Sequence, residues 1–233
     1  YSMAVQADSD GQICTAADAR RAAILSRFFT QAIAVSGIET IPVIIDGRVA
    51  GHCYEDDYAR WCWLSDVLPQ NKNSGREEQA CSVFQSMKEA LNQCGMQFQD
   101  VVRTWFFLDD ILDWYAGFNR VRTDFFNKNI AMEKFLPAST GVGTANSAGA
   151  ALIASAVAVK PKTESFTVQT VPSPQQSPAS NYKSSFSRAV EITCPTHRLL
   201  HISGTASINS EGISVHRGDA ARQIEFTMQV IDA

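Results

Sequence analysis

The chain has 233 residues, of which 45% are hydrophobic and 19% charged, and its net charge is −4 at pH 7. This length is material for about two packed domains, at ~100–200 residues each. No apolar run approaches the ~18 residues of a membrane-spanning helix, and the first residues lack a signal-peptide pattern, so we expect a cytoplasmic protein without a membrane partner. The acidic balance and the lack of a basic run longer than Arg20-Arg21 argue against nucleic acid as the main partner.

The cysteines are scattered along the chain without paired spacing. A chain of this size does not need disulfide bonds to be stable. We therefore expect reduced thiols that lie mostly in the core, at Cys14, Cys53, Cys62, Cys81, Cys94 and Cys194.

Residues 16–35 remain ambiguous between helix and strand.

The first elements that can be predicted form a hairpin. Ile41 to Ile45 and Arg48 to Ala50 are apolar runs joined by Asp46-Gly47. Asp-Gly supplies the positive φ angles of a tight two-residue turn, so this segment predicts two antiparallel strands.

The middle of the chain predicts a strand between two amphipathic helices. Apolar residues recur at helical spacing from Glu77 to Cys94 and again from Ile111 to Phe126. Between them, Val101 to Leu108 reads as a strand that ends at two acids. This order is typical of an α+β fold.

The order of these signals resembles the YjgF/Rid family, also called endoribonuclease L-PSP. The residues that match the family's pattern are Gln79, Val83-Phe84, Asp100 to Thr104, Phe118-Asn119, Phe125-Phe126 and Pro137 to Gly143, followed by an apolar strand from Ala150 to Val159. The resemblance implies a Rid-like mixed sheet with two helices packed on one face. It also implies a homotrimer with clefts between subunits, in which Arg103 and Arg120 would lie at the rim.

A second, shorter match predicts a tandem arrangement. The family's opening segment, first strand and first helix start find counterparts in Phe186 to Ala189, Leu199 to Gly204 and Gly218 to Gln223, with Asp219 as the helix cap. The predicted organisation is a first unit with an N-terminal extension over residues 1–159, a linker rich in proline, serine and glutamine over 160–185, and a truncated second unit over 186–233. Since a half-unit leaves apolar faces uncovered, we expect either a piece of a longer protein, which we favour, or completion by another chain.

The resemblance also implies where ligand contacts would lie in the first unit. Members that hydrolyse imines and enamines use a loop arginine to hold the substrate carboxylate and a glutamate on the last strand to act on water. This chain has Ser139 and Ser155 at those positions. The first unit therefore looks unable to run that reaction, and Ser139 and Thr140 are either ligand contacts or parts of a structural turn.

The second unit supplies the other candidate substrate-binding residues. Phe186 and Arg188 take the family's tyrosine and glutamine positions, and Ser203, Gly204 and Thr205 end the strand that lines the usual cleft. Arg188 is either a carboxylate anchor or the partner of a structural carboxylate such as Glu191. The segment from Ser173 to Ala189 also resembles the chorismatase branch, whose catalytic acid lies late in the second unit, beyond Ala233, so no catalytic residue is assigned.

Metal and cofactor sites are not predicted. His197 and His201 are four apart in a turn and strand, where helical ligand geometry is missing, and His52-Cys53 with the following acids reads more simply as a solvated acidic loop.

Three functions remain open. The first is a Rid-like hydrolase acting on a small carboxylate-bearing metabolite, by chorismatase-like enol-ether hydrolysis or by enamine/imine deamination. The second is a metabolite-binding or regulatory protein without catalysis. The third is an endoribonuclease or translation inhibitor, as the older family name implies, which would need a basic groove that the sequence does not show.

Overall fold

The computed structural model describes residues 34–131, 134–179 and 184–233. Its contacts divide the chain into Tyr1–Ile38 and Glu39–Ala233, and the elements below belong to the second of these. The ambiguous segment 16–35 lies almost entirely outside the described residues.

A six-stranded mixed sheet forms the body of residues 40–161, which include most of the first Rid-like unit predicted above. Its strands are β1 (Thr40–Ile45), β2 (Arg48–Glu55), β3 (Ala59–Val67), β4 (Val101–Leu108), β5 (Ala138–Gly143) and β6 (Leu152–Pro161). They lie in the order β1-β2-β3-β6-β4-β5, with β4 and β5 parallel and the other pairs antiparallel. The predicted α+β class and mixed sheet are confirmed.

The predicted hairpin turn is confirmed, but its second strand is longer than predicted. Asp46 and Gly47 have φ angles of 48° and 74°, as a tight turn requires. β2 continues to Glu55, so the prediction of an acidic loop at His52-Cys53 was wrong. Pairing with β3 holds these residues extended, opposite Trp63 and Cys62.

Two helices cover one face of this sheet, as predicted. Helix α1 spans Arg76–Gln93 and helix α2 spans Ile111–Asn129, with a short 3-10 turn at Phe98–Asp100 before β4. Their apolar stripes meet the sheet in a core centred on Phe84, which is fully buried. Its ring contacts those of Phe98, Phe106, Phe118, Phe125 and Phe126 at centroid distances of 5.2–6.4 Å.

The cysteines of the described residues are free thiols. Cys53, Cys62, Cys94 and Cys194 are buried, whereas Cys81 is exposed on α1. Burial raises the pKa of Cys53 to about 12, so this thiol stays protonated at neutral pH.

A smaller sheet packs on the other face of the first sheet. It contains β7 (Thr167–Val171), β8 (Ala189–Thr193) and β9 (Arg198–Ile202), all antiparallel. β7 lies inside the segment predicted as a linker, so that segment supplies the first strand of the second sheet. Val190 and Ile192 of β8 pack with Trp61 and Val157 of the large sheet.

A helix follows this sheet and repeats the opening order of the first unit. Helix α3 spans Ala220–Asp232, and its predicted cap is confirmed because the Asp219 carboxylate accepts a hydrogen bond from the Arg222 amide at 3.0 Å. Three strands followed by a helix thus occur in both halves of the described chain. None of the helices in the described residues is long and apolar enough to cross a membrane.

Candidate functional site

The two sheets are joined at the edge strand β5 by backbone hydrogen bonds. The Ser187 amide donates to the Pro137 carbonyl, and the Gly204 amide donates to the Ser139 carbonyl, both at 3.0 Å. The Ser203 hydroxyl accepts from the Ser139 amide at 2.8 Å and donates to the Ser187 carbonyl at 2.5 Å. Strand β5 is therefore fixed to the start of β8 and the end of β9.

Gly204 is required at this junction because the chain passes very close to Thr140. A Cβ atom on residue 204 would lie 2.9 Å from Thr140 Cγ2 and 3.3 Å from Thr140 Cα. The backbone position of Thr140 cannot move away without disturbing β5. A larger residue at position 204 would therefore require Thr140 to shift.

A cleft of about 250 Å³ opens at this junction. Helix α2, strand β5 and the segments on either side of the β8–β9 hairpin form its walls. The lining residues are Tyr115, Arg122, Ser139, Thr140, Gly141, Phe186, Gly204, Thr205 and Ala206. Of the predicted site residues, Ser139, Thr140, Phe186, Gly204 and Thr205 come together here, although they are far apart in the sequence.

The other two predicted residues lie behind the cleft. Ser203 is buried and serves the junction described above. Arg188 donates from Nε and Nη2 to the Ser177 carbonyl, at 3.0 and 2.7 Å. Glu191, the alternative partner considered for Arg188, accepts a hydrogen bond from the side-chain Nε2 of Gln169 at 3.0 Å.

Arg122 is a cleft residue that the sequence reasoning did not identify. Its side chain is only 2% exposed, and its Nη2 donates to Asn119 Oδ1 at 2.7 Å. Its guanidinium carbon lies 5.6 Å from the centre of the Phe186 ring, and so does that of Arg188. The Phe186 ring thus contacts two cations. Cations are attracted to the electron-rich face of an aromatic ring, so these contacts are favourable.

A signal for Arg122 does exist in the sequence. It stands four residues after Phe118, on the apolar stripe of α2, and its guanidinium lies over that ring at 5.4 Å.

Neither arginine predicted as a rim group lines the cleft. Arg120 is exposed and pairs with Glu77, whereas Arg103 is buried, since its position on β4 points it between the two sheets.

The hydroxyls of β5 are held in place from strand β4. Thr104 Oγ1 donates to Ser139 Oγ at 2.9 Å, and Arg103 Nη2 donates to Thr140 Oγ1 at 2.5 Å. Since Thr140 Oγ1 accepts from Arg103, its own hydrogen is available to donate to a ligand. The lining residues offer a cation, hydroxyls and an aromatic ring, and no carboxyl group is among those that the structure describes.

Ser155 and the histidines do not join this cleft. Ser155 lies on β6 opposite Trp105, and His197 contacts Cys194 in the β8–β9 turn. Within the described ranges, no group of three or more histidine, cysteine, aspartate or glutamate side chains is arranged to hold a metal ion.

The sequence of the first unit matches a known family. Residues 65–159 match the family model described as Endoribonuclease L-PSP. This segment is similar to the YjgF/Rid family. No curated protein matches the chain.

Solved structures are similar to this chain in fold. A chorismatase crystal structure matches with a TM-score of 0.60 and 19% identity, covering 83% of this chain and 57% of that one. The chain thus spans a little more than half of that chorismatase. The E. coli YjgF gene product matches at 24% identity and a TM-score of 0.42, covering 51% of this chain and 92% of that one. E. coli TdcF with bound serine matches at 23% identity and a TM-score of 0.42, covering 53% and 97%.

Proposed function

We propose that this protein is a Rid-like hydrolase that binds a small carboxylate-bearing metabolite in the cleft between β5, α2 and the second sheet. The observation that carries the proposal is that Arg122, Phe186 and Thr140 line one space. Ser139, Gly204 and Thr205 complete its walls. These groups come from both sheets, so the space exists only when the two are docked.

The chemistry of the lining supports a carboxylate ligand. A planar guanidinium carries five N–H donors in a geometry that matches a carboxylate, and hydroxyls such as Thr140 add neutral donors. An aromatic wall at Phe186 suits a flat or ring-shaped body. With about 250 Å³, the cleft lies just below the ~300–1,000 Å³ of most ligand sites, which favours a single small metabolite.

Enol-ether hydrolysis of a chorismate-like substrate is the reaction to test first. It needs cations to hold the carboxylates, a carboxylic acid to protonate the vinyl carbon, and one positioned water. Arg122 supplies a cation at the cleft, and the proposal places the acid outside the described residues. The fold similarity to a chorismatase over most of the chain supports this choice. Imine hydrolysis is less favoured because Ser139 and Ser155 stand where the reacting members have arginine and glutamate.

Ligand binding without catalysis is the second candidate. The observation that favours it is the lining itself, because none of the described cleft residues carries a carboxyl group. RNA cleavage is the least favoured function, since the chain has 24 acidic against 20 basic residues.

Homotrimeric assembly and a cytoplasmic location are further parts of the proposal. Light scattering, which measures the mass of the assembly in solution, tests the homotrimer.

The experiment combines pyruvate release from chorismate with calorimetric measurement of chorismate binding. Arg122→Gln is compared with Arg120→Gln, which removes the same charge from the same helix but at an exposed position. The parent is a protein that contains the complete second unit. We expect release and binding in it and in Arg120→Gln, and a loss of ~10²-fold or more in Arg122→Gln because the carboxylate clamp is gone. Arg122→Lys, which keeps the charge, checks that the loss is not a folding defect.

The outcomes separate the candidates. Binding without release, in a protein whose Arg122→Gln variant no longer binds, supports the non-catalytic candidate. Release that is unchanged in Arg122→Gln would show that the cleft is not the site. Absence of both binding and release would exclude chorismate-like substrates.

A further inference from the structure

A buried arginine lies between the two sheets and outside the proposed cleft. Arg103 on β4 is 6% exposed. Its Nη2 donates to Thr140, and the Trp105 ring covers it at 4.5 Å from the guanidinium carbon. Its Nη1 is buried and has no hydrogen-bond partner among the protein groups that the structure describes. A buried charge left in this state costs several kcal/mol unless something neutralises it.

A half-buried histidine faces the same region from the second sheet. His201 on β9 is the strand partner of Val190, which packs between the sheets. Its Nε2 is also buried and has no hydrogen-bond partner in the described part of the chain. Burial and then the nearby charge of Arg103 lower the pKa of His201 to about 4, so the imidazole is neutral at pH 7. Both side chains face the interface between the sheets, because Trp105, which covers Arg103, packs against the cluster that contains Val190, the strand partner of His201.

No ion pair to Arg103 occurs within the described residues. The surroundings are apolar, because Val102, Val157 and Val190 pack at the same interface. A water molecule could accept hydrogen bonds here but would leave the positive charge uncompensated. A small anion would both accept the hydrogen bonds and compensate the positive charge.

We propose that Arg103 Nη1 and His201 Nε2 form an internal binding site for a small monovalent anion of the size of chloride, enclosed between the two sheets. Both nitrogens donate to the anion, with His201 in the tautomer that carries its proton on Nε2. The anion neutralises Arg103 and links β4 to β9. The proposal does not depend on the metabolite that the cleft takes.

The site has a consequence for the neighbouring cleft. Arg103 donates to the Thr140 hydroxyl, which lines the cleft. An anion that holds Arg103 in place also holds Thr140 in its ligand-facing position. Thr140 is thus the connection between the buried anion and the cleft surface.

The test measures thermal unfolding in sodium chloride and in sodium gluconate at equal ionic strength. Gluconate is too large for an enclosed site, so it controls for screening. We expect each tenfold rise in chloride above its dissociation constant to raise Tm by about 3–5 °C relative to gluconate. In Arg103→Met this difference should vanish, whereas Arg120→Met, an exposed arginine, should keep it.

A direct measurement covers the case in which Arg103→Met does not fold. Crystals of the parent protein grown in sodium bromide should show an anomalous peak between Arg103 and His201. Equal Tm values in chloride and gluconate, together with no bromide at this position, would overturn the proposal.

Discussion

Gln79 provides a strong test of how the first unit is held together. This side chain is 4% exposed at the start of α1. Its Nε2 donates to the carbonyls of Lys72 and Ser74, at 3.0 and 2.9 Å, and its Oε1 accepts from the Ala151 amide at 2.9 Å. One amide therefore joins the loop before the helix to the segment that enters β6.

Gln79→Glu keeps the shape and the acceptor but removes both donors. At pH 7 the new carboxylate would face two carbonyl oxygens, so it loses two hydrogen bonds at ~1 kcal/mol each and adds repulsion and desolvation. We expect a loss of about 3 kcal/mol in the free energy of unfolding, which corresponds to about 6–12 °C in Tm.

The loss should depend on pH with a definite sign. Burial raises the pKa of the introduced carboxyl, and below that pKa its protonated form can donate one of the two bonds again. The difference in urea midpoint between parent and variant should therefore shrink towards pH 5. Gln79→Met, which cannot titrate, should show no such recovery. A variant as stable as the parent, or a deficit that does not change with pH, would refute the assigned role of the two donors.

Three further predictions concern the junction, the half-buried His201 and the core. Gly204→Ala should lower stability by ~1–3 kcal/mol in melting assays and weaken ligand binding in calorimetry. Gly141→Ala, whose Cβ would meet nothing closer than 3.7 Å, should change stability little in the same melting assay. Because the pKa of His201 falls from 6.5 to about 4 on folding, stability should be fully present above pH 6.5 and fall by up to about 3 kcal/mol as pH drops through 4, in a low-chloride buffer. His201→Gln should flatten that part of the pH profile, and a profile unchanged from the parent would contradict the assignment. Phe84→Ala should cost ~3–5 kcal/mol in chemical denaturation, because its buried ring contacts the surrounding phenylalanines, and a cost below 1 kcal/mol would not fit this core.

The elements that the sequence predicted well are those specified by local pattern. The helices α1 and α2 follow from apolar residues at helical spacing, and the Asp46-Gly47 turn follows from backbone angles that few other residue pairs adopt. The cap at Asp219 is similarly local. In each case the residues that determine the structure are close together in the chain.

The features that were missed depend on contacts between distant residues. Strand β7 carries an exposed pattern in a segment rich in proline, serine and glutamine, and it becomes a strand because β8 pairs with it. Arg122 reaches the cleft only because Phe186 is brought beside α2. The burial of Arg103 likewise requires the second sheet. None of these contacts can be inferred from the local pattern around the residue.

The Ser203 hydroxyl has a consequence for how this cleft can diversify among related sequences. Because the junction is made by backbone groups of residues 137, 139, 187 and 204 together with that hydroxyl, these hydrogen bonds between the two sheets do not involve the side chains at positions 115, 186 and 205. Those side chains can be exchanged while the docking of the sheets is retained. The architecture thus separates the side chains that line the cleft from the groups that hold the two sheets together, so the former can change while the latter stay in place.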